Sequence, residues 1–295
     1  MPCAGRVRIR TCGRPLRRAH SAPPAVVSAD LSGSASALSS ALRVLVTRPR
    51  AQAAEWVTRL REAGLDAVGL PLIEIAQAPE PAALGAAWSA LARHRLVVFV
   101  SPNAAQSFFA AAPPGAHWPP GVRAASPGPG TSAALIALGL PESMIVAPRA
   151  DAAQFDSEAL WSQLDAHDWR GASVLVVRGT GGRDWLAARL LERGARVTHL
   201  AAYERRAPQL DAAERERLEA ALARPKDHVW LLSSSESIDR LEALVGRGAS
   251  AWPAAHAIAT HPRIAERARR LGFGDLRECR PDMAAVIACI QSIRT

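Results

Sequence analysis

The chain has 295 residues, a formal net charge of +9 and 49% hydrophobic residues, which is enough apolar material for about two domains. The first 40 residues carry six arginines and one aspartate, or +5, so the rest of the chain is only +4. The charge is therefore poor evidence for nucleic-acid binding, and no run approaches the roughly 18 apolar residues that a membrane-spanning helix needs.

Residues 1–40 are rich in Arg, Ser, Ala and Pro and lack periodicity, so we predict a disordered basic tail. An Arg-rich, acid-poor segment is typical of organellar targeting peptides, but we favour the plainer interpretation of an over-long start or an unstructured extension. No apolar stretch typical of a secretion signal is seen. Cys3, Cys12, Cys279 and Cys289 match no zinc or redox spacing, so we expect a reduced, cytoplasmic protein without a metal.

Strands and helices alternate along the rest of the chain, which predicts an α/β fold with parallel sheets. Two Pro-containing segments, 77–81 and 205–209, are predicted linkers. The predicted strands are 44–47, 67–76, 96–100, 122–125, a short strand ending at 146, 174–177, 196–202, 229–232, 256–259 and 276–278. The predicted helices are 51–63, 82–92, one from 101 through 109, one ending at 138, 156–165, 183–193, 211–223, 236–245, 263–271 and one capped by Asp282.

Two stretches of the chain resemble each other at a constant offset of 130 residues. RVLVTRP at 43–49 corresponds to SVLVVRG at 173–179, and each is followed by an amphipathic helix and a second apolar run. A repeat of this length indicates two related domains rather than a solenoid. Further matches pair 59–74 with 189–204 at the same offset, and 96–108 with 229–241 and 123–140 with 256–273 at an offset of 133.

The residues that follow the predicted strands are the candidates for a site, because ligands of doubly wound sheets bind beyond the carboxyl ends of the strands. These turns are rich in hydroxyls, glycine and arginine, and they place backbone N–H groups at helix N-termini, where anions bind. The sequence therefore predicts a cleft for a polyanionic ligand. The turns are TRP (47–49), SPN (101–103), GPGT (128–131), RGTGGR (178–183), SSS (233–235) and THP (260–262).

Each of these features has a plainer alternative. Ser101, Thr131 and Ser234 could serve only as helix caps, and either arginine of RGTGGR could be solvated. Tyr203, the single tyrosine of the chain, could be a buried structural residue. No paired carboxylates, Cys–His pair or nucleophile stands out, and the histidines lack metal-like spacing. The residues alone indicate a two-domain α/β protein with an anion-binding cleft.

Taken together, these motifs resemble the uroporphyrinogen-III synthase family over about residues 43–290. The resemblance rests on VLVTRP with Gln52, on SPN, GPGT, RGTGGR and SSS in this order, on the Tyr-x-Arg of Tyr203 and Arg205, and on ATHPRIAERARRLGF at 259–273. Single motifs are weak, but their order and spacing are specific. The chain departs from the family's usual pattern at Val100, Ser233 and Pro127.

The resemblance implies two similar doubly wound parallel-sheet domains joined by a two-stranded linker, with the active site in the cleft between them. The implied topology is exchanged. Residues 41–76 and 207–295 form one discontinuous domain, and residues 79–203 form the inserted one. This division agrees with the repeat, because each copy starts in one domain and finishes in the other.

Members of the family convert hydroxymethylbilane, a linear tetrapyrrole with eight carboxylates, into uroporphyrinogen III. Water is lost, the ring closes and ring D is inverted without a cofactor, so catalysis depends on positioning and electrostatics. The resemblance marks Tyr203 as the residue that assists departure of the hydroxyl. It implies that the substrate is held at Arg48, Ser101, Asn103, Gly128, Thr131, Arg178, Gly181, Arg183, Ser234 and Thr260.

The protein implied by the resemblance is a cytoplasmic monomer that contacts hydroxymethylbilane and, transiently, the enzyme that makes it. It binds neither nucleic acid nor membrane and needs no cofactor. Two rival functions stay open. A non-catalytic two-lobe module for an anion or a tetrapyrrole would be marked by an export signal or an effector domain. A nucleotide-dependent transferase would need a phosphate loop, and RGTGGR is a poor match to one.

Overall fold

The computed structural model of the protein describes residues 42–293, and the predicted disordered tail at 1–40 lies outside them. The strands are β1 (Arg43–Val46), β2 (Asp66–Gly69), β3 (Glu74–Gln77), β4 (Leu96–Phe99), β5 (Arg123–Ala125), β6 (Ile145–Val146), β7 (Ser173–Gly179), β8 (Arg196–Arg206), β9 (His228–Leu232), β10 (His256–Ala259) and β11 (Asp275–Glu278). The helices are α1 (Arg50–Glu62), α2 (Pro81–Ser89), α3 (Pro102–Ala110), α4 (Pro129–Ala137), α5 (Ser157–Trp161), α6 (Trp185–Glu192), α7 (Ala212–Ala223), α8 (Ser235–Val245), α9 (Pro262–Leu271) and α10 (Met283–Ile293).

The first sheet contains five parallel strands in the order β11-β10-β9-β1-β2. In β1, Arg43 lies opposite Asp66 of β2 and His228 of β9. The chain runs outward from β1 to β2 on one side and from β9 through β10 to β11 on the other, so the strand order reverses between β1 and β9. All five residues of β9 are buried, as expected for a parallel strand that helices cover on both faces.

The second sheet contains six strands in the order β3-β8-β7-β4-β5-β6. All neighbours are parallel except β3 and β8, which pair antiparallel with Glu74 opposite Arg206 and Gln77 opposite Tyr203. Here the strand order reverses between β4 and β7. The predicted α/β fold with parallel sheets is confirmed in both sheets.

Helices cover both faces of each sheet and bury its apolar side chains. Full burial of one such side chain stabilises the folded protein by about 1.5–3 kcal/mol. The four helical layers enclose the core that these side chains form. On the first sheet, α1 and α10 bury Leu60, Val286 and Ile290 on one face, and α7, α8 and α9 bury Leu218, Leu241 and Ala265 on the other. On the second sheet, α2, α3 and α4 bury Leu84, Phe108 and Leu135, and α5 and α6 bury Leu160 and Leu190.

The two repeat copies carry corresponding elements. At the offset of 130, β1 falls on β7 and β2 on β8, and at 133, β4 falls on β9 and β5 on β10. The first sheet takes its strands from 43–69 and 228–278, and the second takes them from 74–206. The described residues form one compact unit, so the predicted domain limits, 41–76 with 207–295 and 79–203, stay a prediction.

Two predicted elements were wrong where the chain passes between the sheets. The single strand predicted over 67–76 is two strands, β2 and β3, in different sheets. Pro71 lies between them and has no N–H for a strand ladder. β8 runs to Arg206, into the predicted second linker, because the antiparallel partner β3 supplies its hydrogen bonds.

Candidate functional site

The carboxyl ends of strands from both sheets open into one cavity of about 580 Å³. Its walls include the segments that follow β1 and β9 in one sheet and β4 and β7 in the other, which are the two places where the strand order reverses. Doubly wound sheets bind their ligands at such places. A smaller cavity of about 320 Å³ lies at the amino ends of β4 and β5, away from both reversals. The larger cavity is therefore the candidate site.

Most of the predicted site residues line this cavity. Three of the predicted residues, Ser101, Asn103 and Tyr203, lie next to lining residues rather than on the wall itself. The residues on the wall are Arg48, Gly128, Thr131, Arg178, Gly181, Arg183, Ser234 and Thr260.

The capping alternative holds for the two serines but not for the threonine. The Ser101 hydroxyl accepts from the backbone N–H of Ala104 at 3.2 Å and caps α3. The Ser234 hydroxyl accepts from the backbone N–H of Glu236 at 3.2 Å and caps α8. The N-cap of α4 is Gly128, and Thr131 is instead a buried side chain in the first turn. A capping role does not exclude a ligand contact, because each serine keeps a hydroxyl hydrogen to donate.

Tyr203 is completely buried, and its hydroxyl sits in a chain of hydrogen bonds. Arg205 donates to this hydroxyl at 2.8 Å, and the Ser101 hydroxyl lies 3.0 Å from it. Because a buried O–H without an acceptor is costly, the Tyr203 proton is placed between the two oxygens and is donated to Ser101. The hydrogen of the half-buried Ser101 hydroxyl then points away from Tyr203 and can be donated to another acceptor.

Gly179, at the end of β7, makes room for the Tyr203 ring. A Cβ at this position would lie 2.8 Å from two carbon atoms of the ring, which is closer than real Cβ contacts. The ring position therefore depends on a residue without a side chain at the end of β7. Gly179 belongs to the predicted RGTGGR turn, so this turn contributes to the site by its packing as well as by its arginines.

The arginines at the ends of β1 and β7 have different environments. Arg178 donates through Nε to the carbonyl of Gly181 at 3.0 Å and forms an ion pair with Asp184. Arg48 lies over the ring of Trp56, 4.2 Å from its centroid, and its buried Nε has no hydrogen-bond partner among residues 42–293. Burial lowers the pKa of Arg48 to about 10. A ligand carboxylate would stabilise this guanidinium by adding a negative charge beside it.

A group of five charged and polar side chains joins the two halves of the cavity, and we call it the ion cluster. It contains Asp156, Glu158 and Arg183 from the second-sheet side and His261 and Arg263 from the start of α9. Glu158 accepts both terminal nitrogens of Arg183, at 2.7 and 3.0 Å, and one of Arg263 at 3.1 Å. Hydrogen bonds from Arg183, with a further one from Arg263, hold the pKa of Glu158 far below its ordinary value.

Asp156 completes the ion cluster. One of its oxygens accepts Arg263 at 2.7 Å and lies 3.3 Å from Nε2 of His261, while the other caps α5 through the N–H of Ala159. Nδ1 of His261 accepts from the backbone N–H of Arg263 at 3.1 Å, so this nitrogen carries no proton and Nε2 is the donor toward Asp156.

Two further contacts tie the first-sheet side of the cavity to the second. Gln52 donates to the side-chain oxygen of Asn103 at 2.9 Å, so a hydrogen bond links the residue that accompanies VLVTRP to the SPN turn. Arg280 donates to the carbonyl of Ala150 at 2.6 Å and lies over the ring of Phe155. Specific hydrogen bonds therefore join the two sides of the cavity.

The sequence analysis did not single out Asp156, Glu158 or Arg263. Asp156 and Glu158 lie in a region whose only visible signal was a helix start. Arg263 directly follows the THP turn and lies within the motif at 259–273, but it was not named among the site residues. The ion-pair partners of all three lie between 25 and 107 residues away in the sequence.

Within residues 42–293, no group of three or more His, Cys, Asp or Glu side chains is arranged to hold a metal ion. Cys279 and Cys289 are free thiols, and burial raises the pKa of Cys279 to about 12, so its sulfur stays protonated. In the same part of the chain, no helix is long and apolar enough to cross a membrane.

Two curated relatives align with most of this chain. It is 29% identical over 244 residues to a uroporphyrinogen-III synthase of Salmonella typhimurium, a match that covers 80% of this chain and 94% of the relative. It is 28% identical over 250 residues to the Escherichia coli protein of that name, with the same coverage of both proteins.

Two solved structures share the fold. A mutant uroporphyrinogen III synthase of Thermus thermophilus aligns with a TM-score of 0.56 and 17% identity over 86% of this chain and 98% of that one. The Helicobacter pylori enzyme aligns with a TM-score of 0.52 and 15% identity over 85% and 99% of the two chains. The family profile described as uroporphyrinogen-III synthase HemD matches residues 54–288. The chain belongs to the uroporphyrinogen-III synthase family.

Proposed function

We propose that the chain cyclises hydroxymethylbilane to uroporphyrinogen III with loss of water and inversion of ring D. The observation that carries this proposal is the cavity at the two strand-order reversals, whose wall includes Arg48, Arg178, Arg183 and Arg263. A cavity rich in guanidinium groups suits a substrate with many carboxylates. The family match over residues 54–288 supplies the reaction class.

The proposed reaction asks little of the protein in acid or base strength. Hydroxymethylbilane is electron-rich and readily loses its hydroxyl, which leaves as water once it has received a proton. Ring D attacks the methylene carbon that the hydroxyl has left, through its substituted α carbon, and forms a spirocyclic intermediate. The bond from that α carbon to the bridge toward ring C then breaks and re-forms at the free α carbon of ring D, which loses a proton, so that ring D is inverted. The enzyme must therefore hold the chain of pyrroles in the shape that favours this attack, and fixed cationic groups on the carboxylates do so.

Proton donation to the departing hydroxyl is assigned to the chain Arg205–Tyr203–Ser101. Tyr203 is buried, so in this geometry it acts through the Ser101 hydroxyl, which donates to the substrate and is resupplied by the Tyr203 proton 3.0 Å away. Arg205, donating to Tyr203 at 2.8 Å, stabilises the negative charge that develops on the phenol oxygen. This step, as proposed, uses side chains of the protein alone.

The remaining predicted residues are assigned to the carboxylates of the substrate. Arg48 and Arg183 supply charge from opposite halves of the cavity. The predicted contacts at Asn103, Gly128, Thr131, Arg178, Gly181, Ser234 and Thr260 are proposed to add backbone and side-chain hydrogen bonds. Action as a monomer in the cytoplasm and rapid transfer from the enzyme that makes hydroxymethylbilane belong to the same proposal, since free hydroxymethylbilane closes spontaneously to isomer I.

The test is a coupled assay in which hydroxymethylbilane is generated in the presence of the purified chain. The products are oxidised, and the type I and type III isomers are separated. We expect isomer III to dominate, with isomer I alone in a control that contains heat-denatured protein. Isomer I alone from folded protein would contradict the proposed function and would favour the non-catalytic tetrapyrrole-binding alternative.

A further inference from the structure

The carboxylates of the ion cluster are chemically equivalent to those of the proposed substrate. The side chain of Asp156 ends in an acetate group and that of Glu158 in a propionate group, the two kinds of acidic substituent that hydroxymethylbilane carries. The donors around them, Arg183, His261 and Arg263, line the cavity. The protein therefore holds, at the wall of the cavity, the pairing that the substrate would make.

We propose that Asp156 and Glu158 are internal substitutes for substrate carboxylates. They accept from Arg183, Arg263 and His261 in the structure, and acidic side chains of the substrate replace them on binding. This inference rests on the proposed function, because it concerns how that substrate is received. It assigns Asp156 and Glu158 as residues that set specificity for carboxylate-bearing ligands.

The geometry of the pairs supports exchange. Arg183 donates from its two terminal nitrogens to Glu158 at 2.7 and 3.0 Å. This is the bidentate arrangement that carboxylates commonly adopt with a guanidinium. Glu158 and Arg263 remain about two-fifths exposed, at 38% and 42% of the side-chain surface, so water and a ligand can reach them. The Glu158–Arg263 pair, at this exposure, is weak enough to be replaced by an equivalent pair, whereas Asp156 and His261 are less accessible, at 14% and 17%.

The ion cluster also links the two sides of the cavity. His261 and Arg263 begin α9 on the first-sheet side, and their acidic partners begin α5 on the second-sheet side. When a ligand with carboxylates binds, one set of ion pairs replaces another, so little binding free energy is lost. A ligand without carboxylates would have to break these pairs without replacing them, so the ion cluster discriminates against it.

The test uses two isosteric variants, Glu158→Gln and Asp156→Asn. Each removes a negative charge but keeps the shape, and the asparagine keeps an oxygen that can cap α5. Binding of uroporphyrin III, an unreactive tetrapyrrole with eight carboxylates, is measured by quenching of tryptophan fluorescence. We expect each variant to bind about two- to fivefold more tightly than the unaltered chain, because the donors no longer have an internal competitor.

The matched control is Asp168→Asn, which makes the same charge change at an exposed carboxylate paired with Arg170, beside the smaller cavity at the other edge of the sheet. It should leave the dissociation constant unchanged and so separates local competition from a general effect of net charge. Binding by Glu158→Gln and Asp156→Asn that is no tighter than in this control would overturn the proposal, and so would an equal gain in all three.

A second variant decides the matter if either amide substitution prevents folding. Arg263→Gln removes a donor that both internal carboxylates share, and it should weaken uroporphyrin III binding about threefold or more. Binding as tight as in the unaltered chain would overturn the proposal. Formation of isomer III by the unaltered chain is measured separately, so the inference can fail while the proposed function stands.

Discussion

The two repeat copies end their first strands in corresponding residues that are used differently. Arg48 and Arg178 correspond at the offset of 130. Arg178 is held by the carbonyl of Gly181 and by Asp184. Arg48 is half-buried over Trp56, with a long hydrogen bond to Gln52 and no partner for its buried Nε among the residues described. The second copy fixes its arginine within its own turn. The first copy holds its arginine in a desolvated state that a ligand anion would relieve.

Two further pairs of corresponding positions also differ between the copies. Gly179 and Tyr203 in the second copy correspond to Pro49 and Ile73 in the first. The second copy packs a phenol ring against the glycine and hydrogen-bonds its hydroxyl to Ser101, while Ile73 is a buried apolar side chain. One copy thus carries the candidate proton donor and the other does not, although both have the same fold. The four predictions below test this asymmetry.

The largest effect is expected for Tyr203→Phe, which removes the hydroxyl that only the second copy has. We expect kcat to fall about a hundredfold with a small change in KM, since a proton donor acts on the transition state more than on binding. Steady-state kinetics of isomer III formation measure both constants. Ser101→Ala should share the fall in kcat, and a normal kcat in that variant would rule out proton transfer through Ser101.

Gly179→Ala tests whether the ring position matters. The added methyl group would lie 2.8 Å from the Tyr203 ring, so we expect a loss of about 1–3 kcal/mol in the free energy of unfolding together with a lower kcat. Chemical denaturation and isomer III formation provide the two readouts. The control is Gly121→Ala, where no atom lies within 4 Å of the added methyl group. Equal behaviour of the two variants would contradict the packing argument.

Arg183→Ala tests the cationic wall on the second-sheet side. We expect KM to rise about fivefold while kcat changes little, because the guanidinium binds substrate and transition state alike. Arg170→Ala, which removes an exposed arginine paired with Asp168 outside the cavity, should leave KM unaltered. A fall in kcat without a change in KM would assign Arg183 to the chemical step instead of to binding.

The smallest effect is expected for Arg48→Met and Arg178→Met. This pair of variants tests the comparison of the two repeat copies most directly. The half-buried Arg48 guanidinium has no partner for its Nε among residues 42–293 and a long hydrogen bond, 3.5 Å, from a terminal nitrogen to Gln52. Replacing it with an apolar side chain should raise the free energy of unfolding by about 1 kcal/mol. The same change at Arg178 breaks two interactions and should lower it by a similar amount. Thermal or chemical unfolding of the ligand-free variants measures both values, and shifts of the same sign would mean that the two arginines are not differently used.

The order of elements and the place of the site follow closely from local sequence. Apolar runs such as Leu96–Phe99 and helix signals such as Asp282 have their cause within a few residues, so they can be identified without the fold. Asp282 does cap the last helix, accepting from the N–H of Ala285 at 2.9 Å. The rule that ligands bind at the carboxyl ends of parallel strands then located the cavity.

Local sequence failed where a strand's partner decided its limits. The strand predicted over 67–76 contains Pro71, which marks the crossing from the first sheet to the second. Arg205 and Arg206 were assigned to a linker, but they extend β8 because β3 lies alongside. In both places the hydrogen-bonding partner comes from a distant part of the chain, and periodicity carries no information about it.

Patterns within the chain were enough to predict the α/β class, the duplication and the turns rich in arginine, glycine and hydroxyls that surround the cavity. Which of these side chains meet became visible only in the folded protein. Ser101 and Tyr203 are 102 residues apart, and Glu158 and Asp156 are 105 and 107 residues from Arg263. A hydrogen bond or an ion pair depends on distance in space, and parallel strands bring distant turns of the chain to the same edge of a sheet.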